Sequence, residues 1–343
     1  MRFLFTCGGT AGHINPAVAV AEKLREYDPA CEILFIGANN NMEMYLVPEE
    51  GFDIEGIKIT NISREHNLEA VLHNLDTVKN VVKSIADAKS ILKRFRPDAV
   101  IGTGGYVCYP VLTAAHDLRI PALVHESNAA PGLTTKMLAG KADRIMVGFE
   151  GCRENYDDKS KVIVTGTPVR EGFSRDAKHY EKKTVLSFWG SLGAAYMNGI
   201  VSEMIPMLDG SFRLIHATGR KYYADFEPKD ATDTEILEYI HNMPELMSRA
   251  DLVICRAGAS TLAELDYLGK RAILVPSPNV VNNHQEKNAR AYGKAKVLLE
   301  KEFTANSLLN EIKCSLEEPE PECGNNDAAG KIADIILETV RKG

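Results

Sequence analysis

Four stretches of glycine and small residues each join an apolar run to an amphipathic one: "GGTAGH" (8–13), "GTGGY" (102–106), "GSLGAA" (190–195) and "RAGAST" (256–261). Glycine at such a joint lets backbone approach a ligand with no Cβ in the way. The first N–H groups of a following helix then point, unpaired, at whatever lies over the loop. The chemistry this serves is the binding of an anion, usually phosphate. Other residues stand where they could act on such a ligand. His13 closes the first loop, and a histidine suits proton transfer near neutral pH. Ser191 can donate its hydroxyl. Glu264, about one turn into its helix, can accept two hydrogen bonds from a vicinal diol such as ribose. "HESN" puts His125, Glu126 and Asn128 just past a strand end, and "NNHQEKN" offers His284, Gln285 and Asn288 to sugar hydroxyls.

Each residue also has a plainer reading. The loops are tight βα turns, and Ser191 caps its own helix. Glu264 is favoured by the helix dipole, an effect of only about 0.3–1 kcal/mol. His125 is a satisfied strand histidine, and the asparagines make a turn. The residues alone leave both readings open. They exclude more firmly. No loop fits G-x-G-x-x-G with an acidic residue closing the second strand, and G-x-x-x-x-G-K-[ST] is absent, so NAD-linked redox and ATP hydrolysis fall away. Seven scattered cysteines with no C-x-x-C pair read as reduced thiols of a cytoplasmic protein. Without H-E-x-x-H or a similar signature, no metal or cofactor is expected. A net charge of −7 argues against a general nucleic-acid binder.

The elements that must position these residues follow from the apolar runs. "RFLF", "EILFIG", "DAVIGT", "PALVHE", "RIMVGF", "KVIVTG", "TVLSFWG", "FRLIHATG", "DLVICRAG" and "AILVPSP" read as strands, with helices between most of them. That rhythm predicts βαβ units and parallel sheets. A helix is expected from Pro16 onward with the proline in its first turn, and a last helix after Asp327 as N-cap. At 343 residues the length suggests two domains, with a linker near residue 166 and two glycine joints on either side. Two such domains facing each other would enclose a cleft. "MRFLF" runs straight into a glycine loop and is not expected to be a signal peptide. The uncharged segment 99–116 is broken by "GTGGY" and Pro110 and is read as strand, turn and helix. In segment 71–97, Leu75, Val78, Val82 and Ile85 recur at helical spacing beside Lys79 and Lys83. Periodicity favours a helix packed on the sheet, with a membrane-facing stripe as the other reading.

Taken in order, "GGTAGHINPA", "GTGGY", "HESN", "GTPVR", "GSLGA", "RAGASTLAE" and "NNHQEKNA" resemble the MurG family of UDP-N-acetylglucosamine transferases over about residues 1–340. The resemblance implies a GT-B architecture, α/β with two Rossmann-like parallel-sheet domains facing across a cleft. Residues 1–165 would form the acceptor and membrane-side domain, joined by a C-terminal helix at about 328–343, and residues 166–327 the donor domain. It implies inverting transfer of N-acetylglucosamine from UDP-GlcNAc, a substrate rather than a cofactor, to the C4 hydroxyl of undecaprenyl-diphospho-N-acetylmuramoyl-peptide (lipid I). The product is lipid II for peptidoglycan, made peripherally at the cytoplasmic face of an anionic membrane. Donor contacts carried over by motif are Thr10, Ala11, Gly12, Asn128, Arg170, Ser191, Ile240, Ala259, Ser260, Thr261, Leu262, Ala263, Glu264, His284 and Gln285.

His13 is the first choice of base and Glu126 the second, although His13 could instead position the acceptor diphosphate. Gly104, Gly105 and Tyr106 fall on the acceptor side, and the resemblance raises the membrane reading of segment 71–97. Ala11, and Trp189 ahead of "GS", depart from the glycine or small residue common there. Trp189 is expected to narrow the cleft or shift its loop. Another GT-B transferase, a UDP-sugar 2-epimerase and a nucleotide-sugar-binding scaffold are the competing readings.

Overall fold

Near-continuous apolar runs form strands covered on both faces, and these pair in parallel as two sheets. The computed structural model describes all residues except 60–67, 191–192, 230, 325–326 and 343, with side chains left out for 68–79. The chain divides into two units, Met1–Arg170 with Asp327–Gly343, and Glu171–Asn326.

The first unit runs β1 (Arg2–Cys7), α1 (Ala11–Tyr27), β2 (Glu32–Ala38), α2 (Glu43–Glu49), β3 (Asp53–Ile57), α3 (Leu68–Phe95), β4 (Ala99–Gly104), α4 (Cys108–Asp117), β5 (Ala122–Glu126), α5 (Leu133–Leu138), β6 (Arg144–Val147) and β7 (Val162–Val164). Its sheet has the order β3-β2-β1-β4-β5-β6-β7. The second unit runs β8 (Thr184–Phe188), α6 (Ala195–Met204), β9 (Arg213–Ala217), β10 (Thr234–Leu237), α7 (Met243–Arg249), β11 (Leu252–Cys255), α8 (Ala259–Leu268), β12 (Arg271–Leu274), α9 (His284–Tyr292), β13 (Lys296–Val297) and α10 (Ala305–Glu317), with the order β10-β9-β8-β11-β12-β13. Helix α11 (Ala328–Lys342) belongs to the first unit, where Ile332, Ala333 and Ile336 join the core that α1 covers. The Gly330 N–H donates to Asp327 at 3.0 Å, the expected cap.

Strand order reverses between β1 and β4 in one sheet and between β8 and β11 in the other. Such switch points open a crevice beyond the strand ends, where ligands of open α/β sheets bind. The four glycine stretches follow those four strands. The β1–β4 register also shifts at Thr6/Cys7, just where the two loops begin.

Two details differ from the sequence reading. Helix α1 starts at Ala11, so Pro16 lies inside it and His13 is part of its first turn. Strands β3, β10 and β13 were not expected. They are three of the four sheet edges, β7 being the fourth, and of the three only β3 is more than four residues long.

Candidate active site

In the first unit the two glycine loops hold each other. The Gly8 N–H donates to the Gly104 carbonyl at 3.1 Å, and the Thr103 hydroxyl donates to the His13 carbonyl at 2.7 Å. Gly104 and Gly105 have φ of +125° and +93°. A Cβ on Gly104 would lie 2.5 Å from His13 Cδ2, and one on Gly105 2.4 Å from the Gly8 oxygen. Only glycine permits this approach.

His13 Nδ1 lies 2.9 Å from the Gly8 carbonyl oxygen. A carbonyl can only accept, so Nδ1 carries a proton, and in the neutral form of the ring the lone pair is on Nε2. Thr10 is the N-cap of α1 without a side-chain cap bond. Ala11 opens the helix, and no acidic residue stands in its first turn.

Glu126 is differently occupied. One carboxylate oxygen accepts the Asn128 N–H and Nδ2 at 3.0 Å each. The other accepts the Gly132 N–H and the Thr135 hydroxyl at 2.8 Å each. The side chain organises the loop after β5, and a base with both oxygens so engaged is poorly placed to take a proton. His125 donates through Nε2 to the Gly166 carbonyl at 3.0 Å. Burial lowers its pKa, against the smaller opposing pull of that carbonyl. Arg170 reaches Glu50 at 4.0 Å. Tyr106 projects into solvent.

In the second unit Ser191 lies outside the described residues, but its loop is framed by Gly190 and Gly193, with φ of +83° and +72°. A Cβ on Gly193 would sit 2.0 Å from the Thr218 carbonyl oxygen. That carbonyl accepts from Asn198 Nδ2 at 2.9 Å, and Asn198 Oδ1 accepts from His216 Nε2 at 3.2 Å. The Ser187 hydroxyl lies 3.1 Å from His216 Nδ1, which is left to accept. Burial pushes the His216 pKa down to about 3, so a neutral relay of dipoles backs this loop. Trp189 does not reach beyond the strand ends. It is 4% exposed, packed in the core, with its ring 5.7 Å from the Arg256 guanidinium and 6.3 Å from the His216 ring. Arg256 in turn donates to Glu300 at 2.8 Å and to the Val275 carbonyl at 3.0 Å, joining the ends of β11 and β12 to the segment after β13.

Helix α8 begins at Ala259 after Gly258, which has no side chain to offer as a cap, and its first turn (Ala259, Ser260, Thr261) holds no acid. Elsewhere in this unit α7 and α9 carry Glu245 and Glu286 in their first turns, and α10 has a Thr304–Ser307 capping box. Leu262, Ala263 and Glu264 are buried, as is Ile240 just beyond β10. Burial raises the Cys255 thiol pKa, and the charge of Glu264 adds to the rise. Asn288 donates to the Ala257 carbonyl at 3.2 Å, tying α9 to the start of α8. Asn282 and Asn283 adopt left-handed backbone, which asparagine tolerates. Gln285 Oε1 accepts the Ser277 N–H at 2.8 Å, and His284 Nδ1 donates to the Val281 carbonyl at 3.0 Å.

Comparison with known proteins bears on what these loops serve. Residues 3–147 match the glycosyltransferase family 28 N-terminal domain and residues 184–338 its C-terminal domain. The chain is 40% identical over 369 aligned positions, all of both proteins, to UDP-N-acetylglucosamine--N-acetylmuramyl-(pentapeptide) pyrophosphoryl-undecaprenol N-acetylglucosamine transferase 1 of Bacillus cereus. The transferase of that name from Acetivibrio thermocellus is 41% identical over 336 positions, 93% of this chain and 90% of that protein. The crystal structure of Acinetobacter baumannii MurG superposes with a TM-score of 0.73 at 27% identity, covering 98% of this chain and 99% of that one.

The chain belongs to the MurG family.

Its two parallel sheets have the GT-B fold of MurG and of glycosyltransferase family 28. The same fold extends to a UDP-GlcNAc 2-epimerase of Neisseria meningitidis, with a TM-score of 0.66 at 16% identity over 100% of both chains.

Among the family-derived assignments, helix α3 separates two residues taken together in the sequence. Val82 is 64% exposed, whereas Ile85 is half-buried and packs against the core of the first unit. Lys83 is exposed. The side chains of Leu75, Val78 and Lys79 lie outside the described residues. Among the described residues, no helix is long and apolar enough to cross a membrane, and no three His, Cys, Asp or Glu side chains gather as a metal site would require. The sequence reading passed over Glu43, whose carboxylate underlies the first glycine loop. Its one sequence signal is that it is the only charged residue in "ANNNMEMYLVP" (38–48), directly after an apolar strand. Asn198 and His216 lie inside α6 and β9 and gave no such signal.

Proposed function

We propose that this MurG-family chain moves N-acetylglucosamine from UDP-GlcNAc to the C4 hydroxyl of lipid I, inverting the anomeric centre and forming lipid II. Membership supplies the reaction class. The observation that carries the assignment of roles is the His13 ring, fixed by the Gly8 carbonyl with its Nε2 lone pair uncommitted by tautomer.

The second unit holds most of the donor. The starts of α6 and α8, with Ser191 and Ala259 through Thr261, receive the diphosphate. Glu264 takes the ribose and Ile240 meets the uracil, while His284 and the Gln285 carboxamide N–H groups address the sugar hydroxyls. From the first unit, Thr10, Ala11, Gly12, Asn128 and Arg170 are assigned to the donor on the family motif. As the acceptor C4 oxygen forms its bond to the sugar C1, its proton passes to His13 Nε2. The electron pair of the breaking C1–O bond leaves on the β-phosphate of UDP. Preorganised donors aimed at that developing charge are worth about 3–4 kcal/mol each at the transition state. A lipid-linked acceptor requires contact with a membrane surface, and we assign that contact to the exposed Val82–Lys83 edge of α3 with Gly104, Gly105 and Tyr106 on the acceptor side.

The test is UDP release from UDP-GlcNAc with and without a lipid I analogue. Release that depends on the analogue supports transfer, and equal release without it contradicts transfer.

A further inference from the structure

Glu43, the first residue of α2, is fully buried. Its Oε1 accepts the Ala38 N–H at 2.9 Å and its Oε2 the Gly9 N–H at 3.0 Å. Two glycines make room for it: a Cβ on Gly8 would lie 2.5 Å from Oε1, and one on Gly37 2.6 Å from Cγ. Among the described residues no cation pairs with it. Burial is the main cause of the raised pKa of the nearby Cys7 and Cys108 thiols, and the Glu43 carboxylate adds a smaller contribution.

An unpaired carboxylate is costly to bury, so its partners matter. The Gly9 N–H that it accepts and the Gly8 carbonyl that accepts His13 Nδ1–H are the two ends of one peptide group. A carboxylate drawing on the N–H polarises that amide and makes its oxygen a stronger acceptor. The sequence Glu43, peptide 8–9, His13 therefore resembles a carboxylate–histidine pair with one peptide inserted. In such pairs the partner fixes the tautomer and raises the basicity of the far nitrogen.

We propose that Glu43 is a positioning residue for proton transfer, acting through the Gly8–Gly9 peptide to orient His13 and to favour its protonated form during the reaction. The proposal rests on the reading of His13 as base. Other titratable groups near His13 are weaker candidates for the role. Cys7 at the end of β1 and Cys108 at the start of α4 are buried, and the pKa of Cys108 is pushed up to about 12 by burial. Tyr106 follows β4 and is exposed. On α1 the next charged side chains are Glu22 and Lys23, about 14 Å along the helix. Asp327, ahead of α11, acts on Lys23. At the far end of α2, Glu50 turns to Arg170.

The experiment is NMR titration of selectively labelled histidine in the full chain, wild type and Glu43→Gln, alongside the pH dependence of kcat/KM. Glutamine carries no charge and has one acceptor oxygen, so it can keep the Gly9 or the Ala38 N–H but not both. A carboxylate favours imidazolium, so its removal is expected to lower the His13 midpoint measured by NMR. The acid limb of kcat/KM moves down with it, and the KM for UDP-GlcNAc holds. A folded Glu43→Gln protein with both midpoints unchanged overturns the proposal. So does a wild-type His13 whose 15N shifts show the Nε2–H tautomer, a result that needs no variant to fold. If the NMR midpoint falls while the acid limb stays, the Glu43–His13 coupling stands and the assignment of His13 as base fails.

Discussion

The two units build the same joint and back it differently, one with a carboxylate and the other with neutral dipoles. Each places two glycine loops at a switch point, and each uses a glycine whose Cβ would strike a carbonyl, Gly105 against Gly8 in one and Gly193 against Thr218 in the other. Behind the first pair lies a buried carboxylate, Glu43, one hydrogen bond from the loop. Behind the second lie Asn198 and a neutral His216. Negative charge behind a loop suits a base that becomes imidazolium and penalises a phosphate. Neutral dipoles leave the loop's N–H groups and helix starts free of that penalty. The difference fits the proposed division, in which the first unit takes the proton and the second holds the diphosphate.

That contrast can be broken at several points. Gly104→Ala brings a methyl group into the His13 ring and strains a left-handed position. Its turnover should fall by about 10²-fold or more, the scale of a lost general base, with UDP-GlcNAc affinity unchanged. Parallel kinetics and calorimetry check this, and a loss confined to donor affinity would reverse the assignment. Asn198→Leu strips partners from the Thr218 carbonyl and the His216 N–H, a change of about 1–3 kcal/mol in denaturant stability. It should also weaken UDP-GlcNAc by roughly tenfold if the loop loses its support, while leaving the acid limb in place.

The neutral backing has a pH signature. The folded His216 pKa, about 3, lies below the unfolded value near 6.5. Protons therefore bind the unfolded state preferentially in between, and stability present above pH 6.5 is lost as pH falls. At pH 5 this amounts to about 2 kcal/mol, seen as a lower denaturant midpoint for the second unit and diminished in His216→Phe. The smallest effect is at Val82. Val82→Glu should change stability by no more than about 0.5 kcal/mol yet weaken binding to anionic vesicles. Unchanged vesicle binding would remove α3 from the membrane assignment.

Much of this fold is legible in the sequence because buried parallel strands leave continuous apolar runs, as "RFLF" and "LVIC" do. The edge strands β3, β10 and β13 are half-exposed and short, and leave no such run. The loop glycines are legible too, since only they tolerate the backbone required. What supports the loops is not. Glu43 comes from a different βα joint, and His216 is one polar residue in an apolar strand. Their roles arise from strand order, which brings β2 beside β1 and β9 beside β8. Ile85 and Val82 show the same limit, since helical spacing marks a stripe but not which edge of it the core covers.

The most direct test of the division of labour is the pH dependence of kcat/KM for the acceptor in His13→Ala at saturating UDP-GlcNAc. The first-unit base predicts a residual rate roughly 10²–10⁴-fold lower with the acid limb gone. A His13→Ala enzyme that retains the wild-type limb at a comparable rate would place the base elsewhere and contradict the account.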